Sequence, residues 1–253
     1  MNTTFLKIEL MRILRDPVTM FFTALLPVFF YIIFGASQDY SDLTAGNGNV
    51  AMYIMISMAG YGAVTATAGI GGMAAVERMQ GWGRQLGLTP LGDGGFVAIK
   101  SAVALMICCI PIGLVYIAGL FTGAKGDSLQ VWLLSLLILV VGAIMFALYG
   151  LIFGLAFRSE AAVSAASGSL VILAFLGNIF FPLSGALLTF AKFTPLYGYI
   201  ALARYPLTEG FSVGTDGIVT EEALWIPVVN VVVWTLIFAA LATWLVRRGR
   251  GRQ

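Results

Sequence analysis

The chain offers almost no side chain suited to covalent or metal chemistry. It has no histidine and only two cysteines, Cys108 and Cys109, adjacent inside an apolar run. Without histidine, no serine or cysteine has its usual base to make it a nucleophile. Adjacent cysteines with no further partner give neither a disulfide framework nor a zinc site, so they read as small packing residues. Gly-x-x-x-x-Gly-Lys-Ser/Thr occurs nowhere, and the glycines at 81, 83, 87, 92, 94 and 95 are not followed by Lys and Ser or Thr. A phosphate-cradling loop is therefore absent from the sequence. No catalytic residue, metal or cofactor is expected on this chain. If it moves anything uphill, another chain supplies the energy.

The polar residues that do form patterns suggest docking and lining. The stretch Glu77 to Leu91 is too long and too apolar for a mere connector. Glu77 and Arg78 open it. Leu86, Leu88 and Leu91 give an apolar surface beside Arg84 and Gln85, and Thr89-Pro90 stops a helix. A short helix with apolar knobs and a basic flank suits a groove on a partner protein; a loop resting on lipid headgroups is the plainer alternative. At the start of the chain, Leu6, Leu10, Ile13 and Leu14 share one side of a helix. Glu9, Arg12, Arg15 and Asp16 face the other, with Phe5 and Ile8 off the pattern. This reads as a helix lying in a membrane interface, broken at Asp16-Pro17. Tyr53, Ser57, Tyr61 and Thr65 recur every four residues and make a polar stripe on one helix face. Ser164, Ser167 and Asn178 make a second one. With Phe175, Phe180 and Phe181 nearby, these stripes suit a path for a hydrophobic or amphiphilic compound, or equally hydrogen bonding between packed helices.

The elements that position these residues are membrane spans. The 253 residues are 60% hydrophobic and only 10% charged, with a mean hydropathy of +0.96. A soluble domain carries roughly 25% charged residues. A run of ~18 or more apolar residues crosses a bilayer core as a helix. Six such runs are present, at about 17–35, 50–76, 96–121, 131–157, 161–181 and 225–246. Trp132, Trp225 and Trp244 sit near their ends, where indole rings favour headgroups. The first run is too long, and its charged lead too extended, for a signal peptide. With six spans, one side holds eleven of the fourteen Lys and Arg residues; the other holds Lys125, Lys192 and Arg204. The positive-inside rule then places both termini in the cytoplasm. The basic tail Arg247 to Arg252 reads as an anchor against anionic lipid rather than a nucleic-acid site. The central parts of the spans hold no Asp, Glu, Lys, Arg or His, which argues against ion-coupled transport. Gly150-x-x-x-Gly154, and Ala161, Ala165 and Ser169, permit close helix packing. The outer stretch 182–224 is too apolar for a simple loop. Either re-entrant helices or one flat amphipathic helix would account for it.

Glu77-Arg78-x-x-Gly81, then Leu86, then Thr89-Pro90, resembles the signature of the ABC type-2 transporter permease family. That family includes daunorubicin- and linearmycin-resistance antibiotic exporters. Trp82 stands where a small hydroxyl residue is usual, and Gly83 where Leu or Met is usual. The resemblance extends to Phe181-Pro182-Leu183-Ser184-Gly185, to Thr194-Pro195-Leu196 and to Arg204, and so covers almost the whole chain. It implies an all-α integral membrane protein and a single permease domain over 1–253. Its parts would be an interfacial helix over 1–16, six transmembrane helices, a cytoplasmic coupling loop over 77–95 and short re-entrant helices within 182–224. It implies a multi-pass protein of the bacterial plasma membrane, paired with a second permease copy as a homodimer or heterodimer. Two copies of a separate ATPase, carrying ATP and Mg, would power it. The ATPase would touch Glu77, Arg78, Gly81, Trp82, Arg84, Gln85, Leu86, Leu88, Thr89 and Pro90. The second and fifth spans would line the path, through Tyr53, Ser57, Tyr61, Thr65, Ser164, Ser167, Phe175, Asn178 and Phe181.

The expected function is efflux of a drug, antibiotic or lipid-like compound. An exporter of a lipid-linked glycan is the nearest rival, although a glycan path would show more aromatic and hydroxyl lining. A non-transporting immunity or sensor subunit is a rival of another class. A channel would need a charged filter or a repeated pore loop, and the sequence has neither.

Overall fold

The computed structural model describes residues 3–77, 93–157, 161–214 and 217–250. It is mostly helical. Helix α1 spans Thr3–Leu14 and ends just before Asp16, which caps the next helix. The Asp16 carboxylate accepts the backbone N–H groups of Val18 (3.1 Å) and Thr19 (3.2 Å) and the Thr19 hydroxyl (2.6 Å). Pro17 occupies the first turn, where its missing N–H costs nothing. Helix α2, Pro17–Ala36, is continuous but contains two five-residue π-helical stretches, Phe21–Leu25 and Ile32–Ala36. Its last carbonyls are capped by Ser37 Oγ (to Ile32 O, 2.7 Å) and Gln38 Nε2 (to Ile33 O, 2.6 Å).

Helix α3, Val50–Glu77, is the axis of the bundle. It packs most closely against α4 (Asp93–Phe121) and α6 (Ile144–Phe157), and also touches α2. Glycine makes this closeness possible. A Cβ at Gly71 would collide with the Ala147 carbonyl, and one at Gly150 with the Ala68 carbonyl. A Cβ at Gly154 would lie 2.6 Å from the Ala75 Cβ. Small residues at reciprocal positions let the two backbones meet without lost packing. Gly62 leaves room in the same way for Pro111 of α4 and Pro27 of α2.

Helices α5 (Leu129–Gly142) and α6 are joined through Ala143, so that Leu129–Phe157 forms one long apolar rod. Helix α7, Ala161–Leu176, follows. The expected fifth span to Phe181 is cut short here. Gly177 closes the last turn (N to Leu173 O, 2.6 Å), and Asn178 adopts φ 57°, the left-handed conformation that ends helices. The Asn178 side chain then takes the Leu183 N–H (3.0 Å). Sixteen residues rise only about 24 Å.

Two short helices come next, α8 (Gly185–Ala191) and α9 (Pro195–Thr208), with 93° between them. The elbow is bolted to the last helix, α10 (Trp225–Arg250). Asn230 Nδ2 donates to the carbonyls of Lys192 (2.7 Å) and Thr194 (3.2 Å), and Trp234 Nε1 to that of Phe193 (2.8 Å). Gly198 is required opposite, because a Cβ there would strike Asn230. A small antiparallel hairpin, β1 (Phe211–Val213) and β2 (Val219–Glu221), precedes α10. It corrects the all-helical expectation: Glu209 (φ 52°) and Gly210 (φ 92°) turn the chain out of α9, and β-branched residues follow.

Among the described residues five helices are long and apolar enough to cross a membrane, or six if α8 and α9 are taken together. Helix α4 begins at Asp93, inside the loop expected over 77–95. The connections after α2, α4 and α9 gather at one end of the bundle. Asn49 there caps α3 (Met52 N–H, 3.1 Å) and holds Gly123 O and Lys125 N, while Asn47 N donates to Leu207 O (2.7 Å).

Candidate functional site

Two polar centres lie along α3. Ser57 marks one and Glu77 the other, twenty residues apart, or about 30 Å of helix. That separation equals the thickness of a bilayer's hydrocarbon core.

The first centre is a ring of four charges that joins three helices. Lys100 Nζ of α4 donates to Glu9 of α1 (2.6 Å) and to Glu77 of α3 (2.5 Å). Arg12 Nη2 donates to the same two carboxylates, at 3.2 and 2.5 Å. Among the described residues each acid meets both bases and each base both acids, so the formal charges of these four side chains cancel. The Lys100, Glu9 and Glu77 side chains are only 6–8% exposed, and that of Arg12 is 45% exposed. Pairing of this quality is what allows charge to be buried. Of the ten residues expected to meet an ATPase, Glu77 alone is described. Arg78, Gly81, Trp82, Arg84, Gln85, Leu86, Leu88, Thr89 and Pro90 lie outside the described residues.

The ring revises the reading of α1. Glu9 is buried (4%), not on the polar side. The inward face is Phe5, Leu6, Glu9, Leu10 and Ile13, whereas Ile8, Met11 and Leu14 are exposed. Phe5, off the expected pattern, belongs to the core face. The signal for this was present: residues 5, 6, 9, 10 and 13 share a helix face once an acid is admitted to it.

The second centre is Arg204 of α9, buried to 5%. Its Nε donates to Ser57 Oγ (2.9 Å), Nη2 donates to the same oxygen, and Nη1 donates to the Asn178 carbonyl (2.9 Å). The guanidinium lies 3.9 Å from the centroid of the Tyr53 ring, a cation–π contact. Among the described residues no carboxylate touches it. Glu222 stands one residue removed, accepting the Tyr197 hydroxyl (2.7 Å) with Lys192 Nζ 3.8 Å away. Tyr53, Ser57 and Asn178, from the two expected stripes, thus converge on one cation. The sequence marked Arg204 as an outer charge and as part of the family resemblance, but not as the partner of these stripes.

The other expected path residues are placed differently. Tyr61 is buried among rings, 5.3 Å from Phe180 and 6.4 Å from Phe30. Thr65 returns its hydroxyl to its own helix at Tyr61 O and Gly62 O. Phe175 stacks on Phe181 (6.1 Å, 18°), and both are about half exposed. Phe30 and Phe34 of α2 extend this aromatic surface. Ser164 is exposed and Ser167 half-buried on α7.

No family model matches the chain. Over 177 residues, 69% of this chain and 71% of the relative, it is 25% identical to YvfS of Bacillus subtilis (strain 168). That relative is named a transport permease, a name itself given by inference. The chain is therefore similar to a transport permease and carries the apolar helices of a multi-pass membrane protein.

Proposed function

We propose that the chain is the permease subunit of an ATP-binding-cassette exporter of the ABC type-2 kind. It has no ATPase site of its own and acts as a dimer with a second permease copy. Two copies of a separate ATPase, with their ATP and Mg, drive it. The chain crosses a bacterial plasma membrane six times with both termini in the cytoplasm; the eleven-to-three distribution of Lys and Arg supports this orientation. The cargo is a hydrophobic or amphiphilic compound moved outward, a reading supported by the aromatic surface around Phe175 and Phe181.

One observation carries the proposal. The charge ring clamps α1 to the end of α3 and the start of α4, the two helix ends that flank residues 78–92. A force applied by an ATPase at that segment is passed to α3, and α3 touches α2, α4, α5, α6, α7 and α9. Motion of a clamped block, rather than of a free loop, is how ATP hydrolysis would reach the bundle. The test is co-purification with a small soluble P-loop ATPase, sought first among the products of neighbouring genes, followed by transport-coupled ATP hydrolysis in proteoliposomes. A stable complex whose coupling is lost on replacing Glu77 and Arg78 is expected. Failure to bind any ATPase, or unchanged coupling in the double variant, overturns the reading.

A further inference from the structure

A cavity of about 400 Å³ opens beside the charge ring. Its size falls in the range of small-molecule sites, roughly 300–1,000 Å³. Its walls are of two kinds. The rim carries Arg12, Asp16 and Thr19, with Glu9 and Lys100 behind them. The throat is hydrocarbon: Ala66, Ile70 and Met73 of α3, Ile107 of α4 and Val163 of α7. Gly69 also faces it, and a Cβ built there meets nothing within 4 Å. A polar lip over an apolar throat is the imprint of an amphiphile.

Charge and position narrow the class. The ring cancels Glu9 and Glu77 against Arg12 and Lys100. What the rim presents outward is the half-exposed Arg12 guanidinium and the exposed Asp16 carboxylate, one turn further along. Arg12 spends only Nη2 on the two acids. The rim thus offers one positive and one negative group to the same cavity, the complement of a zwitterion. Elsewhere on the same two helices Leu14, Val18, Phe21 and Phe22 are exposed and apolar, as on a lipid-facing surface.

We propose that this cavity holds one membrane phospholipid with a zwitterionic headgroup: its phosphate on Arg12, its ammonium on Asp16 and an acyl chain in the throat beside Gly69. The inference rests on the chain lying in a bilayer and not on the exporter reading. The test uses the full chain, reconstituted from vesicles of equal parts phosphatidylethanolamine and phosphatidylglycerol, re-extracted in mild detergent and examined by native mass spectrometry. Wild type should retain about one phospholipid per chain, with phosphatidylethanolamine favoured by up to about fivefold, the scale of one exposed ion pair. Gly69→Leu fills the throat and should release it. Gly113→Leu, at another position with open space, should keep it and controls for folding. Asp16→Asn preserves the helix cap and should keep a bound lipid while erasing the headgroup preference. Retention by Gly69→Leu equal to wild type, retention of phosphatidylglycerol as readily as phosphatidylethanolamine, a non-lipid compound in the cavity, or no lipid on wild type would each overturn the proposal.

Discussion

Replacing Lys100 with Met tests whether the charge ring holds the bundle together. The substitution removes one of two cations from a ring whose carboxylates are 6% and 8% exposed. The ring changes from neutral to −1. Arg12 is left facing two acids, and at 45% exposure its attraction is partly screened by water. Removing one partner of a buried pair costs about 3–5 kcal/mol. For a domain of this size each kcal/mol moves the melting temperature by about 2–4 °C, so the midpoint should fall by about 6–20 °C. The loss comes from the stranded carboxylates, so removing one of them should return part of it. Glu9→Gln is therefore expected to cost about 1–3 kcal/mol less in the Lys100→Met background than in wild type. Tryptophan fluorescence of the chain in lipid nanodiscs during heating reports both quantities. A Lys100→Met midpoint within 2 °C of wild type, or strict additivity with Glu9→Gln, would refute the argument.

Three further outcomes follow from the other contacts. Ser57→Ala removes both side-chain bonds to the Arg204 guanidinium and should cost about 1.5–3 kcal/mol. Arg204→Met removes the buried cation itself and should be milder; the same melts decide the order. Gly150→Ala places a methyl group against the Ala68 carbonyl and should cost about 3 kcal/mol, the upper end of overpacking. Gly168→Ala, where a Cβ meets nothing, should be nearly silent. The hydroxyl and then the backbone N–H of Thr19 hold the Asp16 carboxyl below its usual range. Its folded pKa is thus lower than its unfolded one, so the cap contributes fully above the ordinary carboxylate range. That contribution fades as pH falls through the lowered value. The midpoint difference between wild type and Asp16→Ala should be constant near neutrality and vanish in acid.

Local chemistry was readable in the sequence wherever a few neighbouring residues decide the outcome. Asp16-Pro17 marks the break before the first span, where Asp16 caps the following helix; Thr194 caps Pro195–Thr208 in the same way, a start that the sequence marks only as part of a family pattern. Apolar run length located five long helices, because hydrocarbon thickness dictates it. The shortened α7 was less legible, since Gly177-Asn178 ends a helix inside a run that remains apolar to Phe181. The charge ring was hidden for a different reason. Its partners lie 23, 65 and 91 residues apart, and an acid among surface charges gives no sign that it is destined for a core. The contacts of Arg204 were hidden likewise, as they are a hydroxyl from a distant helix and a carbonyl from the turn after α7.

Helix α3 has a consequence for how the chain is made. It is the least apolar of the five long helices and the most enclosed: 78% of its core window is buried, against 17% for α10. Its glycines, alanines and serines gain little from lipid. What fixes them is backbone contact with α6, which leaves the ribosome some seventy residues later. For that interval α3 is a weakly held segment awaiting its partner. During that interval α3 is the softest point that the membrane-insertion machinery, and the proteases that survey it, meet in this chain.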